Sequence, residues 1–173
     1  GNTHVFSTLL YGKINFDPVK DFAVITNFAS IPNVMVSHPS FPPKTIAEVV
    51  AYGKANPGKI NFASSGIGAP PHLAGELFKT MAGVDMQHVA YKGDTPALID
   101  LVSGQVDLAF LAISATTPHI RGGKLRALGV TGIRRTPAMP ELATLDELGL
   151  KGYDLSTWWG LLAPAGTPRE AID

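Results

Sequence analysis

Cysteine is absent from the 173 residues. That excludes disulfides, thiol nucleophiles and cysteine metal sites, and it is compatible with an oxidising compartment. Charge is scarce as well: 14 basic and 14 acidic side chains cancel, and charged residues make up only 16% of the chain. The Lys and Arg are scattered, so the electrostatic footprint of a nucleic-acid partner is missing. Long apolar runs are lacking too. The longest, such as "VDLAFLAISA", fall well short of the roughly 20 residues a membrane-spanning helix needs. The five histidines, His4, His38, His72, His88 and His119, show no paired metal-ligand spacing, so structural or surface roles are expected and no metal is implied. No initiator Met or secretory signal opens the sequence, which implies a targeting segment that was removed or never included.

What is present is a chain that is 45% apolar, long enough for one or two compact domains with a real core. The capping box "TIAE" at Thr45 to Glu48 opens a helix closed by "NPG" at Asn56 to Gly58. The strand "INFA" follows, then the loop "SSGIGA", then a helix that starts at Pro70 or Pro71 and ends at Gly83. A strand "QHVAY" and a loop "KGDTP" lead to a helix with Leu98, Leu101 and Val102 inward. The nearly continuous apolar strand "VDLAFLAI" comes next, then a loop "SATTP", a short helical turn at Pro118 to Arg121 and the strand "LRALGVT". Strands alternating with helices at these lengths imply an α/β fold with a mainly parallel sheet covered by helices. The runs "DFAVITNFASIPNVMVSHPSF" and "YDLSTWWGLLAPAGTP" are expected to be crossings to a second domain. "TPRE" at Thr167 to Glu170 announces a capped helix just before the sequence stops, and a fragment truncated inside a domain is the expectation.

In such sheets ligands sit beyond the carboxyl ends of strands, here the loops Ser64 to Gly68, Lys92 to Thr95 and Ser114 to Thr117. The first is neither a dinucleotide fingerprint nor a P-loop. Pro71 stands where the former needs Gly or Ala, and Pro-Pro-His stands where the latter needs Gly-Lys-Ser/Thr. No cofactor is therefore implied. Ser64, Ser65, Gly66, Ile67 and Gly68 instead offer backbone donors and a helix dipole to a small anion. His72 either orients this loop, touches the ligand or bonds locally at the helix start. Tyr91 contacts ligand or simply ends a strand, and Lys92 attracts the anion or is a solvated loop residue. Asp94, before Thr95-Pro96, reads as the cap of the next helix; the alternative is that it meets an amine or hydroxyl of the ligand. One ring of Trp158-Trp159 is expected in the core, and Arg134 and Arg135 on a solvated face. Ser64 and Ser65 have no base and orienting acid at recognisable spacing, so catalysis by them is not expected.

The stretches "LYGKINFDPVKDF", "PNVMVSHPSFPPKTIAEVVAYGKANPGKINFASSGIGAPPHLAGELFKTMAGVDMQHVAYKGDTPALIDLVSGQVDL" and "PHIRGGKLRALGVTGIRRTPAMPELATLDELGLKGYDLSTWWGLLAPAGTP" resemble the periplasmic substrate receptors of tripartite tricarboxylate transporters, the Bug receptors. The resemblance implies a Venus-flytrap fold of the type II periplasmic-binding-protein kind, non-catalytic, that closes on a small carboxylate between two domains and serves membrane permease subunits. It implies a nearly whole second domain at 38–155 and a partial first domain at 1–37 and 156–173. A chain so reduced is expected to bind weakly and to cover exposed first-domain surface by self-association. The residues the resemblance places at the ligand are Ser64, Ser65, Gly66, Gly68, Tyr91, Lys92 and Gly93. After Phe110, Leu111 and Ala112 stand where many members carry Asp-Asn, which makes that wall of the pocket more apolar. Two other readings stay open: a binding-only sensor module using the same pocket, and a Rossmann-like enzyme acting on an anionic substrate.

Overall fold

The structure is a computed structural model that describes residues 14–172; His4 lies outside them. In chain order the elements are β1 (Phe22–Ser37), α1 (Ile46–Ala55), β2 (Ile60–Ser64), α2 (Pro70–Ala82), β3 (Met86–Ala90), α3 (Asp94–Val102), β4 (Leu108–Ala112), α4 (Ile113–Arg121), β5 (Arg126–Val130) and β6 (Ser156–Pro164), followed by a 3-10 turn at Arg169–Ala171. Residues Pro32–Ser156 form one compact unit, and the described residues up to Ile31 and from Thr157 form another. Strand β6 pairs with β1, and Ala165 N–H donates to Asp21 C=O at 2.9 Å.

Local chemistry sets the helix ends. Thr45 caps α1, its Oγ1 accepting from Glu48 N–H at 3.2 Å, while the Glu48 carboxylate reaches back to Lys44 N–H at 2.7 Å. The reciprocal bond thus falls one residue before the position of a strict capping box. Helix α2 opens on Pro70 and Pro71 and closes on Gly83 at φ 63, the left-handed conformation that ends helices.

The sheet order is β3-β2-β4-β1-β5. Strand β2 runs parallel to β3 and to β4, whereas β1 is antiparallel to both β4 and β5, with Val34 opposite Leu111 on one side and Val130 on the other. The sheet is therefore mixed: β3, β2, β4 and β5 point one way, and β1 runs against them between β4 and β5. Alternation sends Phe62, Phe110 and Met35 to the face covered by α1 and α2, where they join Ile46, Val49, Ala74 and Phe78. The opposite face sends Val34, Ala63, Ala109 and Leu111 against Ala97 and Leu101 of α3 and Ile113 of α4. From Leu108 to Leu111 every side chain of β4 is buried, the double coverage its continuous apolar sequence predicts.

Buried polar groups are spent on holding connections. Thr131 Oγ1 accepts from Asn33 N–H at 2.9 Å and donates to Leu155 C=O at 2.7 Å, tying the end of β5 to β1 and to the segment leading into β6. The Arg126 guanidinium gathers the carbonyls of Pro39, Phe41 and Pro43 at 3.1 to 3.2 Å. Tyr153 donates its hydroxyl to Ala74 C=O at 2.7 Å, and burial raises its pKa above the ordinary phenol range.

Three expectations are corrected. "SATTP" is not a loop: strand β4 stops at Ala112 and α4 begins at once with Ile113, carrying Pro118 inside it. The Thr116 and Thr117 hydroxyls donate back to Ala112 and Ile113 carbonyls, and Ile113 and Thr116 are buried, which sustains the helix before Pro118. At the other end, Thr167 donates its hydroxyl to Pro164 C=O and caps no α-helix; the turn that follows is a three-residue 3-10 turn. Neither Trp ring is core: Trp158 is half-buried and Trp159 is 42% exposed. Arg134 and Arg135 are both exposed, as expected, and Arg135 also reaches the Glu147 carboxylate through Nε at 2.8 Å and donates to Pro140 C=O.

Candidate functional site

Because β2, β3 and β4 are parallel, their carboxyl ends open on one edge of the sheet. The first two loops there are joined: Tyr91 N–H donates to Ser64 C=O and Gly93 N–H to Ser65 C=O, both at 3.0 Å. At the third position Ala112 ends β4 and serves as the N-cap of α4 without a side-chain bond, and Ser114 is exposed in the first helical turn.

The first loop depends on two glycines, Gly66 at φ 143 and Gly68 at φ 77; neither backbone suits a residue with a Cβ. It also spends donors on itself. Gly66 N–H donates to Ser64 Oγ at 3.2 Å, Gly68 N–H to His72 Nδ1 at 3.1 Å and Ala69 N–H to Gly66 C=O at 3.2 Å. Pro70 and Pro71 carry no N–H at all. Among the described residues, the Ser65 and Ile67 amides have no internal acceptor and remain free. The set is thus narrower than five consecutive backbone groups. Ser64 is fully buried, so its hydroxyl braces the loop from beneath, whereas the Ile67 side chain is 73% exposed.

In the second loop Lys92 is exposed. The Tyr91 hydroxyl turns away along α3 to donate to Asp100 Oδ2 at 2.7 Å, and burial together with that carboxylate pushes its pKa up to about 12. Asp94 is not the cap of α3. Gly93 takes that position at φ 108, ψ 172, and Asp94 becomes the first helical residue with no capping bond, its Oδ1 buried without a partner. One residue inside the helix, its carboxylate still meets the positive dipole end but does not reach the amides that a cap serves.

The feature that sequence reasoning missed is a stack of rings beneath the first loop. His88 lies against Phe62 at 4.9 Å between centroids and against His72 at 4.1 Å. Its Nε2 is 2.6 Å from Ser64 Oγ, and Ser64 Oγ is 3.2 Å from Gly66 C=O. A proton on His88 Nε2 satisfies the whole chain: His88 donates to Ser64, and Ser64 donates to Gly66 C=O. The signal was available, since Phe62 and Ser64 share a face of β2 and pair in parallel register with His88 and Ala90. Ser64 is sealed from solvent, and its hydroxyl is committed to His88 and to Gly66. No group of metal-binding side chains occurs among the described residues.

Burial holds His88 down at about 4, helped by the charge of neighbouring His72 and of Lys79 and opposed by Glu76. His72 is also lowered, again by burial first, with Glu76 opposing and Lys79 assisting. The unfolded chain takes up these protons more readily than the folded one, so their contribution to stability is full above about pH 6.5 and is lost as pH falls toward about 4. After a discount for partial exposure, acidification through that window should cost about 1 to 2 kcal/mol, visible as a falling Tm. His88→Gln should flatten that part of the curve, and an unaltered curve would assign the loss to other groups.

The comparisons agree with one another. The family described as "Tripartite tricarboxylate transporter family receptor" matches residues 2–173. Protein BugT of Bordetella pertussis is 32% identical over 94% of this chain and 50% of its own length. Rpa4515 of R. palustris, solved with adipate, is 35% identical with a TM-score of 0.85, over 99% of this chain and 57% of that one. MatC from Rhodopseudomonas palustris, solved with bound malate, is 32% identical with a TM-score of 0.83, over 99% and 58%. The chain thus spans about half the length of the relatives it matches. On the family match across nearly every residue, the chain belongs to the tripartite tricarboxylate transporter receptors, built on their periplasmic-binding-protein fold.

Proposed function

We propose that this chain is part of a periplasmic receptor that binds a small organic carboxylate and delivers it to the permease subunits of a tripartite tricarboxylate transporter. The observation that carries the reading is the pair of neighbours above 30% identity, one holding adipate and the other malate. The free Ser65 and Ile67 amides are suited to one carboxylate group. Gly66, Gly68 and Gly93 let the ligand approach the backbone, Lys92 adds a favourable field and Ala112 supplies an apolar wall. Each charge-assisted hydrogen bond contributes roughly 1.5 to 3 kcal/mol, so a dicarboxylate should bind at least about tenfold more tightly than its neutral diamide. Calorimetry of the complete receptor chain with adipate, malate and adipamide tests this. Equal binding of adipate and its diamide, or turnover of a bound acid, would defeat the receptor reading. Uptake of the bound acid by vesicles carrying the permease tests delivery, and binding without uptake would favour a sensor.

A further inference from the structure

Two hydrogen bonds fix the shape of the Ser64 to Gly68 loop from below, and both end on a histidine. Gly68 N–H donates to His72 Nδ1 at 3.1 Å, which requires that nitrogen to carry a lone pair. Ser64, which clasps both the N–H and the C=O of Gly66, is held by His88 Nε2 at 2.6 Å. The rings are stacked at 4.1 Å, so the two supports are one unit. We propose that His72 and His88 are positioning residues for the carboxylate loop, which keeps its binding shape only while the His72 ring is neutral, so that ligand affinity carries the titration of His72. This rests on the carboxylate reading of the loop.

The consequence follows from the atoms. A proton on His72 Nδ1 turns the acceptor of Gly68 N–H into a second donor, and the two repel. Gly68 must then move, and the free amides of Ser65 and Ile67 move with it. The charged groups facing the pair are few: Glu76 Oε1 lies 3.9 Å from His72 Nε2 on the same helix, and Lys79, 3.1 Å from that carboxylate, offsets it. A second positive charge on His88 is opposed by the first through the stacked rings. Burial keeps both rings neutral near pH 7, so the loop is set there and released by acid.

The test is the pH profile of malate and adipate affinity in the complete receptor chain, wild type against His72→Asn, His72→Leu and His88→Gln, with Tm recorded for each. Asn presents an acceptor near the place of Nδ1 and Gln a donor near the place of Nε2, and neither titrates. Between about pH 7.5 and about pH 4.5, wild-type affinity should fall by about fivefold to tenfold more than that of His72→Asn, the worth of roughly one hydrogen bond. His72→Leu should bind about tenfold more weakly throughout, with His72→Asn recovering most of the loss. Ligand protonation is common to all four proteins and cancels. Parallel profiles for wild type and His72→Asn, or a gain in wild-type affinity on acidification, overturn the proposal; the gain would make His72 a direct cation for the ligand. Failure of every protein to bind either acid at neutral pH would instead overturn the carboxylate reading itself.

Discussion

Gly75→Ala should lower the stability of the Pro32–Ser156 unit by about 3 kcal/mol, the upper range for overpacking a core, and Gly75→Val should leave little folded protein. A Cβ built on Gly75 falls 2.1 Å from Cε2 of Phe62 and 2.7 Å from two further ring atoms, distances that no real contact shows. The ring has nowhere to go. Phe62 is fully buried, with Phe110 edge-on at 6.2 Å and His88 stacked at 4.9 Å. Helix α2 would have to lift from the sheet, uncovering Phe78 and Ala74, which are also fully buried. Urea denaturation measures the loss. Adding Phe62→Leu to Gly75→Ala should recover part of it, because removing the ring removes the clash, and the two changes should be strongly non-additive. A Gly75→Ala protein as stable as wild type would mean that α2 does not approach the sheet this closely. The same contact joins fold to site, since Phe62 supports His88 and His88 holds Ser64, so even partly folded variants should bind carboxylate poorly.

That clash could not be read from "HLAGELF", where a glycine inside a helix only lowers helix propensity. What the sequence made legible were features carried by one or two residues acting locally. Thr45, the Pro70-Pro71 start and Gly83 each determine a helix end through their own backbone demands where their type predicts, and Glu48 misses its capping-box partner by one residue. The helix from Ile113 was hidden because Ala112 offers no capping side chain and because Pro118 resembles a start while sitting in the sixth position. The reversed direction of β1 was hidden for another reason: alternation of buried and exposed side chains is the same for a strand read either way. Asp94 was misplaced by one residue because the left-handed freedom of Gly93 outcompeted the carboxylate for the cap. At the edge of the sheet, the loops were legible as strand ends followed by helix starts. Which of their donors remain free was not, since that depends on His72 and Ser64 consuming the amides of Gly68 and Gly66.

Replacing Gly66 by Val in the complete receptor should weaken carboxylate binding by about tenfold to a hundredfold while leaving the chain folded. The backbone at Gly66 has φ 143, and a Cβ there would sit 3.4 Å from Tyr91 C=O before the two branches of valine are added. A β-branched residue held in that region costs of order 1 to 3 kcal/mol. The loop can relieve the strain by rotating, because the Ile67 side chain is largely exposed. Rotation at Gly66 reorients the peptide group on either side: the one that follows carries the free Ile67 amide, and the one before carries the Gly66 N–H that Ser64 holds. Loss of one charge-assisted hydrogen bond at roughly 1.5 to 3 kcal/mol corresponds to about tenfold to a hundredfold in affinity. The core beneath is untouched, since Ile60, Phe62 and Ala63 keep their burial whatever the loop does, so Tm should move by only a few degrees. Calorimetry with malate and adipate decides: unchanged affinity in a folded Gly66→Val receptor would remove this loop from the ligand site and leave the backbone of Lys92 and Gly93 as the remaining candidate on that edge.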